Sequence, residues 1–310
     1  MNTPLKLAGF GLGLVAAFGA AVGVGSVVGP IGPAVQSSAD DHGMDTGAEA
    51  GGHDGAATHE AGLPAGLTVS ESGYTLELTE RSMPAGTATP VAFRIVGPEG
   101  GPVTEYDVDH DVDLHLIAVR RDLIGFQHVH PELGADGVWR VPLALDPGAW
   151  RLFADFVPSA LGEKLTLGAD VAVPGEYAPA PLAAESPTAE VDGFTVVLTG
   201  GLEPGRESEL TLSLSRDGRP VTDLQPYLGA YGHLVVLRDG DLAYLHAHPL
   251  AEPGGGAPAA GPDVRFATTA PSAGTYRLFL DFKHDSVVRT AAFTLTSTPT
   301  AATAHEEGGS

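Results

Sequence analysis

HLIAVRRDLIGFQHVHP, from His115 to Pro131, returns 118 positions later as HLVVLRDGDLAYLHAHP, from His233 to Pro249. Both stretches follow H-x12-H-x-H-P, although most residues between the histidines differ. In the second copy Asp239-Gly240 is a hairpin signal, because a type I′ turn needs positive φ at both central positions. A turn centred there pairs His233 with His246 and Val235 with Tyr244, and sets His248 opposite Tyr231. The same register in the first copy, centred on Arg121-Asp122, pairs His115 with His128 and sets Asp113 opposite His130. Opposed residues in an antiparallel pair project to one face, as do positions two apart on a strand. Each copy therefore gathers its three histidines on one patch.

Three imidazoles on such a patch suit a metal ion at about 2.0–2.1 Å, with room for a fourth ligand. The expected sites are His115, His128 and His130, with Asp113, and His233, His246 and His248, with Tyr231. The competing reading is the polar end of a core face, since Ile117, Val119 and Phe126 continue that face in the first copy. Clustered neutral imidazoles need partners, however, and cationic ones repel. The chain has no cysteine and few methionines, so its ligands are imidazole and carboxylate, a set that suits Cu(II) or Zn(II). The expected cofactor is a copper or zinc ion, about two per chain. Asp155 and Asp281, in the repeated RLF-x-DF segments, read either as carboxylates orienting an imidazole or as strand-end residues.

The duplication extends well beyond the histidines. GAWRLFADF (Gly148–Phe156) corresponds to GTYRLFLDF (Gly274–Phe282), and Pro102-Val103-Thr104 to Pro220-Val221-Thr222. Short β-branched and aromatic runs, punctuated by Gly, Pro and Asp, carry no sustained 3.6-residue period. The expected fold is all-β: two tandem Ig-like or cupredoxin-like β-sandwich repeats at 65–176 and 186–297, joined by a Pro/Ala-rich linker at 177–185.

The N-terminal segment, 1–35, carries Lys6 and then an uncharged run from Leu7 to Val35, long enough to be a signal peptide or a transmembrane anchor. Either implies an extracytoplasmic protein, secreted or membrane-anchored through that segment. Residues 36–64 are rich in Gly, Ala and Asp, which predicts a disordered linker. Its His42, Met44, His53 and His59 belong either to a solvated spacer or to a weak metal-collecting arm; the tail, 298–310, is similar. A formal net charge of −23 argues against nucleic acid and favours cations as partners.

These features together, an apolar N-terminus, a His/Met/Asp linker and duplicated H-x12-H-x-H-P sandwiches, resemble uncharacterised secreted or membrane-anchored bacterial proteins thought to handle copper or other heavy metals. The resemblance implies metal buffering, delivery or resistance. Two other classes stay open: a metal-dependent enzyme of the three-histidine type, in which the open position activates water or dioxygen, and an extracellular partner-binding module with structural histidines.

Overall fold

A computed structural model describes residues 63–245, 247–250 and 260–298. The N-terminal apolar segment, nearly all of the expected linker, His246 and the tail beyond Thr298 lie outside the described residues.

Every regular element described is a strand. The first repeat runs β1 (Ser70–Glu71), β2 (Tyr74–Leu78), β3 (Gly86–Val96), β4 (Tyr106–Asp107), β5 (Leu114–Arg120), β6 (Gln127–Val129), β7 (Glu132–Leu133), β8 (Trp139–Leu145), β9 (Gly148–Pro158) and β10 (Leu165–Val173). The second runs β11 (Thr188–Val191), β12 (Phe194–Gly200), β13 (Glu207–Arg216), β14 (Arg219–Pro220), β15 (His233–Arg238), β16 (Tyr244–Leu245), β17 (Ala247–Pro249), β18 (Asp263–Thr269), β19 (Gly274–His284) and β20 (Val287–Ser297). Each repeat folds as two facing sheets. They are ordered β1-β2-β3-β8-β7 and β10-β9-β5-β6 in the first repeat, and β11-β12-β13-β18-β17 and β16-β15-β19-β20 in the second. The fold is thus two tandem Ig-like β-sandwiches.

The two sheets of a sandwich bury different patterns. β3 and β8 alternate buried and exposed residues, as a sheet with one wet face must. β5 is buried at all seven positions. Leu114, Leu116 and Ala118 enter the core of their own sandwich, while Ile117 and Val119 point outward into a third core with Phe153, Val235, Leu237, Leu242 and Phe279. The two repeats therefore pack through their β5 and β15 sheets, and Phe126 stacks on Phe279 with ring centroids 4.1 Å apart. Each large side chain withdrawn from water there is worth roughly 1.5–3 kcal/mol before ordering costs. A chain segment seals this layer: Arg151, buried and paired with Asp170, donates to the carbonyls of Gly66 and Leu67. The segment lies so close that a Cβ on Gly168 would meet the Gly66 carbonyl at 2.0 Å.

The hairpin register departs from the sequence expectation by two residues in both copies. Ile117, not His115, pairs with His128, and Leu237 and Val236 pair with Tyr244 and Leu245. The turns are wider than a two-residue type I′ turn. In the first, the Arg120 amide bonds the Ile124 carbonyl and Leu123 takes φ 62°; in the second, the Arg238 amide bonds the Ala243 carbonyl and Leu242 takes φ 63°. Arginine–aspartate pairs, Arg120–Asp122 and Arg238–Asp241, brace both loops. A slip of two residues preserves the face on which a side chain projects, whereas a slip of one reverses it. The histidines of the first copy accordingly stay on one face.

Candidate metal centre

β5 sets His115 at the outer end of the inter-repeat core, immediately beyond Ile117, and leaves it 4% exposed. β6 delivers His128 beside it, and the chain continues to His130. One nitrogen from each of these three lies within 4.8 Å of the others.

The hydrogen bonds around the rings fix where their lone pairs point. His115 Nε2 lies 3.2 Å from the Asp109 carbonyl, which can only accept, so Nε2 carries the proton. His128 Nδ1 lies 2.9 Å from Asp281 Oδ2, a carboxylate that also accepts. In their neutral forms both rings therefore turn a bare nitrogen to the centre: Nδ1 of His115 and Nε2 of His128, only 3.0 Å apart. Two lone pairs at that distance repel unless a proton or a metal ion lies between them. His130 Nε2 is buried there with no hydrogen-bond partner.

Neither His115 nor His130 readily holds a proton there. Burial, reinforced by His128, His130 and His233, pushes His115 down to about 2. Burial, with His128 beside it, lowers His130 to about 4. The adjoining cavity, lined by His110, His115, His128, Asp155, Lys164 and His233 among others, is about 30 Å³. That is room for an ion or a water molecule and not for an organic substrate.

The surroundings differ from the expected ligand sets. Asp113 is exposed and stands outside the cluster, and Tyr231 packs against the core of the second sandwich. Tyr227 takes the aromatic place, 6.2 Å from the His130 ring and 5.9 Å from His233. His233 stands beside the first triad: its ring lies 5.9 Å from both His115 and His128. His248 is exposed on β17, paired with Ala267 in the other sheet. Asp281 orients an imidazole, but one in the other repeat, and its second oxygen accepts from Thr290. Its counterpart Asp155 holds Thr166 and Lys164 instead, and Lys164 also pairs with Asp109.

Two residues at the cluster escaped sequence reasoning. His110 sits in a tight turn, Asp109 to Val112, and its ring lies 5.0 Å from that of His233. The equivalent turn in the second repeat, Tyr227 to Ala230, delivers Tyr227. Both turns hold non-glycine residues at positive φ, His110 and Asp111 in one and Leu228 in the other. The equal distance of these turns ahead of His115 and His233 was a usable signal.

Among solved structures, the chain is similar to FdeC, an Escherichia coli adhesin, at 17% identity and TM-score 0.23, covering 74% of this chain and 65% of that one. It is also similar to Salmonella alpha-2-macroglobulin at 16% identity and TM-score 0.26, covering 77% of this chain and 15% of that one. A third likeness is to the chicken CNTN1 FN1–FN3 domains at 13% identity and TM-score 0.21, with 76% and 66% covered. This chain thus spans under two thirds of the first two. No curated protein matches its sequence. A family model matches twice, over residues 68–175 and 189–299, so the chain belongs to the family described as a domain of unknown function, DUF8832, in two tandem copies.

Proposed function

We propose that this is an extracytoplasmic transition-metal binding protein, holding Cu(II) or Zn(II) at His115, His128 and His130. The observation that carries the reading is the 3.0 Å contact between two bare imidazole nitrogens, with the buried, unpartnered Nε2 of His130 beside it. A proton on His128, with Asp281 as counter-ion, would fill that contact but leave His130 unsatisfied; an ion serves all three. The carboxylate–histidine contact from Asp281 is the arrangement that fixes a tautomer and raises ligand basicity at metal sites. Imidazole donors without thiolate favour Cu(II) and Zn(II). The apolar run from Leu7 to Val35 supports an extracytoplasmic location, where buffering, delivery or resistance are the roles to separate. The small cavity favours binding over catalysis.

The test is metal content of untagged protein, followed by Cu(II) and Zn(II) titration against a competing chelator. Binding at or below micromolar Kd that vanishes in His128→Ala/His130→Ala supports the reading; equal binding by the two proteins overturns it.

A further inference from the structure

We propose that His233 is the fourth donor, so that a single centre supplied by both repeats locks the two sandwiches together. The proposal rests on the reading of His115, His128 and His130 given above and adds to it a ligand from the second repeat.

β15 meets β5 through matched side chains, Val235 and Leu237 against Ile117 and Val119, in the core between the repeats. His233 therefore caps that core from the second repeat as His115 caps it from the first. The backbone holds the two histidines alike. His115 Nε2 donates to the Asp109 carbonyl at 3.2 Å and His233 Nε2 donates to the Leu228 carbonyl at 3.0 Å. A neutral His233 thus keeps Nδ1 as its remaining donor, at the edge of the set of nitrogens within 4.8 Å formed by His115, His128 and His130.

A second contact from the same repeat points to the same centre. Asp281, directly opposite His233 on β19, is the carboxylate bound to His128. The second repeat thus supplies both the fourth imidazole and the group that orients a ligand of the first. His110 is the competing fourth donor. Its ring stands 6.3 Å from His115 against 5.9 Å for His233, and it comes from the first repeat. The ion then belongs to neither sandwich alone, and binding it fixes β15 against β5.

The experiment uses the full chain with Zn(II) and with Co(II), whose d–d absorption is strong in four-coordinate tetrahedral sites and weak at higher coordination. Wild type, His233→Gln and His128→Ala/His130→Ala are compared for affinity, Co(II) spectrum and hydrogen exchange. The expected wild-type result is one ion per chain, a four-coordinate spectrum, and metal-induced protection of β15 as well as β5. His233→Gln should still bind one ion, roughly 100-fold more weakly, with a weakened Co(II) spectrum and protection confined to the first repeat. Wild-type affinity and spectrum in His233→Gln overturn the proposal and leave the three-histidine reading standing. Equal binding by wild type and the double variant overturns both. If His233→Gln melts lower without metal, the wild-type exchange map decides: protection of β15 supports the lock, and protection of the first repeat alone overturns it.

Discussion

The same hairpin motif is used differently in the two repeats. In the first, β6 stays beside β5 through Val129 and crosses to the other sheet only at β7, after both histidines have been set against His115. In the second, among the described residues, Tyr244 and Leu245 pair with β15, and Ala247 to Pro249 pair with β18. The crossing comes earlier and carries His248 to the opposite sheet. One copy of the motif thus gathers its three histidines, while the other places His233 beside them. Duplication preserved the residues but not their geometry, because where a strand changes sheets decides which side chains meet.

The comparison breaks most visibly at the histidines. His128→Ala/His130→Ala should weaken metal binding by three orders of magnitude or more, about 4 kcal/mol or above. His248→Ala should leave binding within twofold, and calorimetric titration of both variants checks the contrast. Acid gives the next effect. His115, at about 2, and His130 and His233, at about 4, stay neutral in the fold but charge in the unfolded chain below pH 6.5. The unfolded chain then binds more protons, so this stability is full above pH 6.5 and is lost as pH falls toward 4. Three groups at 1.36 kcal/mol each give a slope approaching about 4 kcal/mol per pH unit near pH 5, readable from urea melts of metal-free protein. A flat stability profile from pH 7 to 5 would contradict the burial of these rings.

The layer between the repeats should respond equally from either side. Phe153→Ala and Phe279→Ala each remove a ring from the shared core and should cost about 3 kcal/mol or somewhat more. Losses well under 1 kcal/mol would mean that the repeats do not pack this way in solution. The smallest effect sharpens the comparison of the paired aspartates. Asp281→Asn should weaken metal binding roughly 10–100-fold, or about 1.4–2.7 kcal/mol. Asp155→Asn, at the equivalent position, should lower stability through Lys164 and leave affinity near wild type.

The β-sandwich duplication was legible because turn residues and β-branched runs repeat in order, and local pattern suffices for that. The convergence of His115, His128 and His130 was legible because strand periodicity survives a slip of two residues. The register was not, since Arg–Asp pairs across the loops and left-handed Leu123 and Leu242 make wider turns than Asp239-Gly240 suggests. The convergence of His233 on the first triad was also hidden. It depends on the outward faces of β5 and β15 packing together, and in sequence that shows only as apolar runs lacking alternation, HLIAV and HLVVL.

The most direct measurement is an anomalous difference map at the zinc edge from crystals grown with Zn(II). The account predicts one strong peak per chain about 2.0–2.1 Å from His115 Nδ1, His128 Nε2 and His130 Nε2. A peak at His248 with none among those three nitrogens would contradict it.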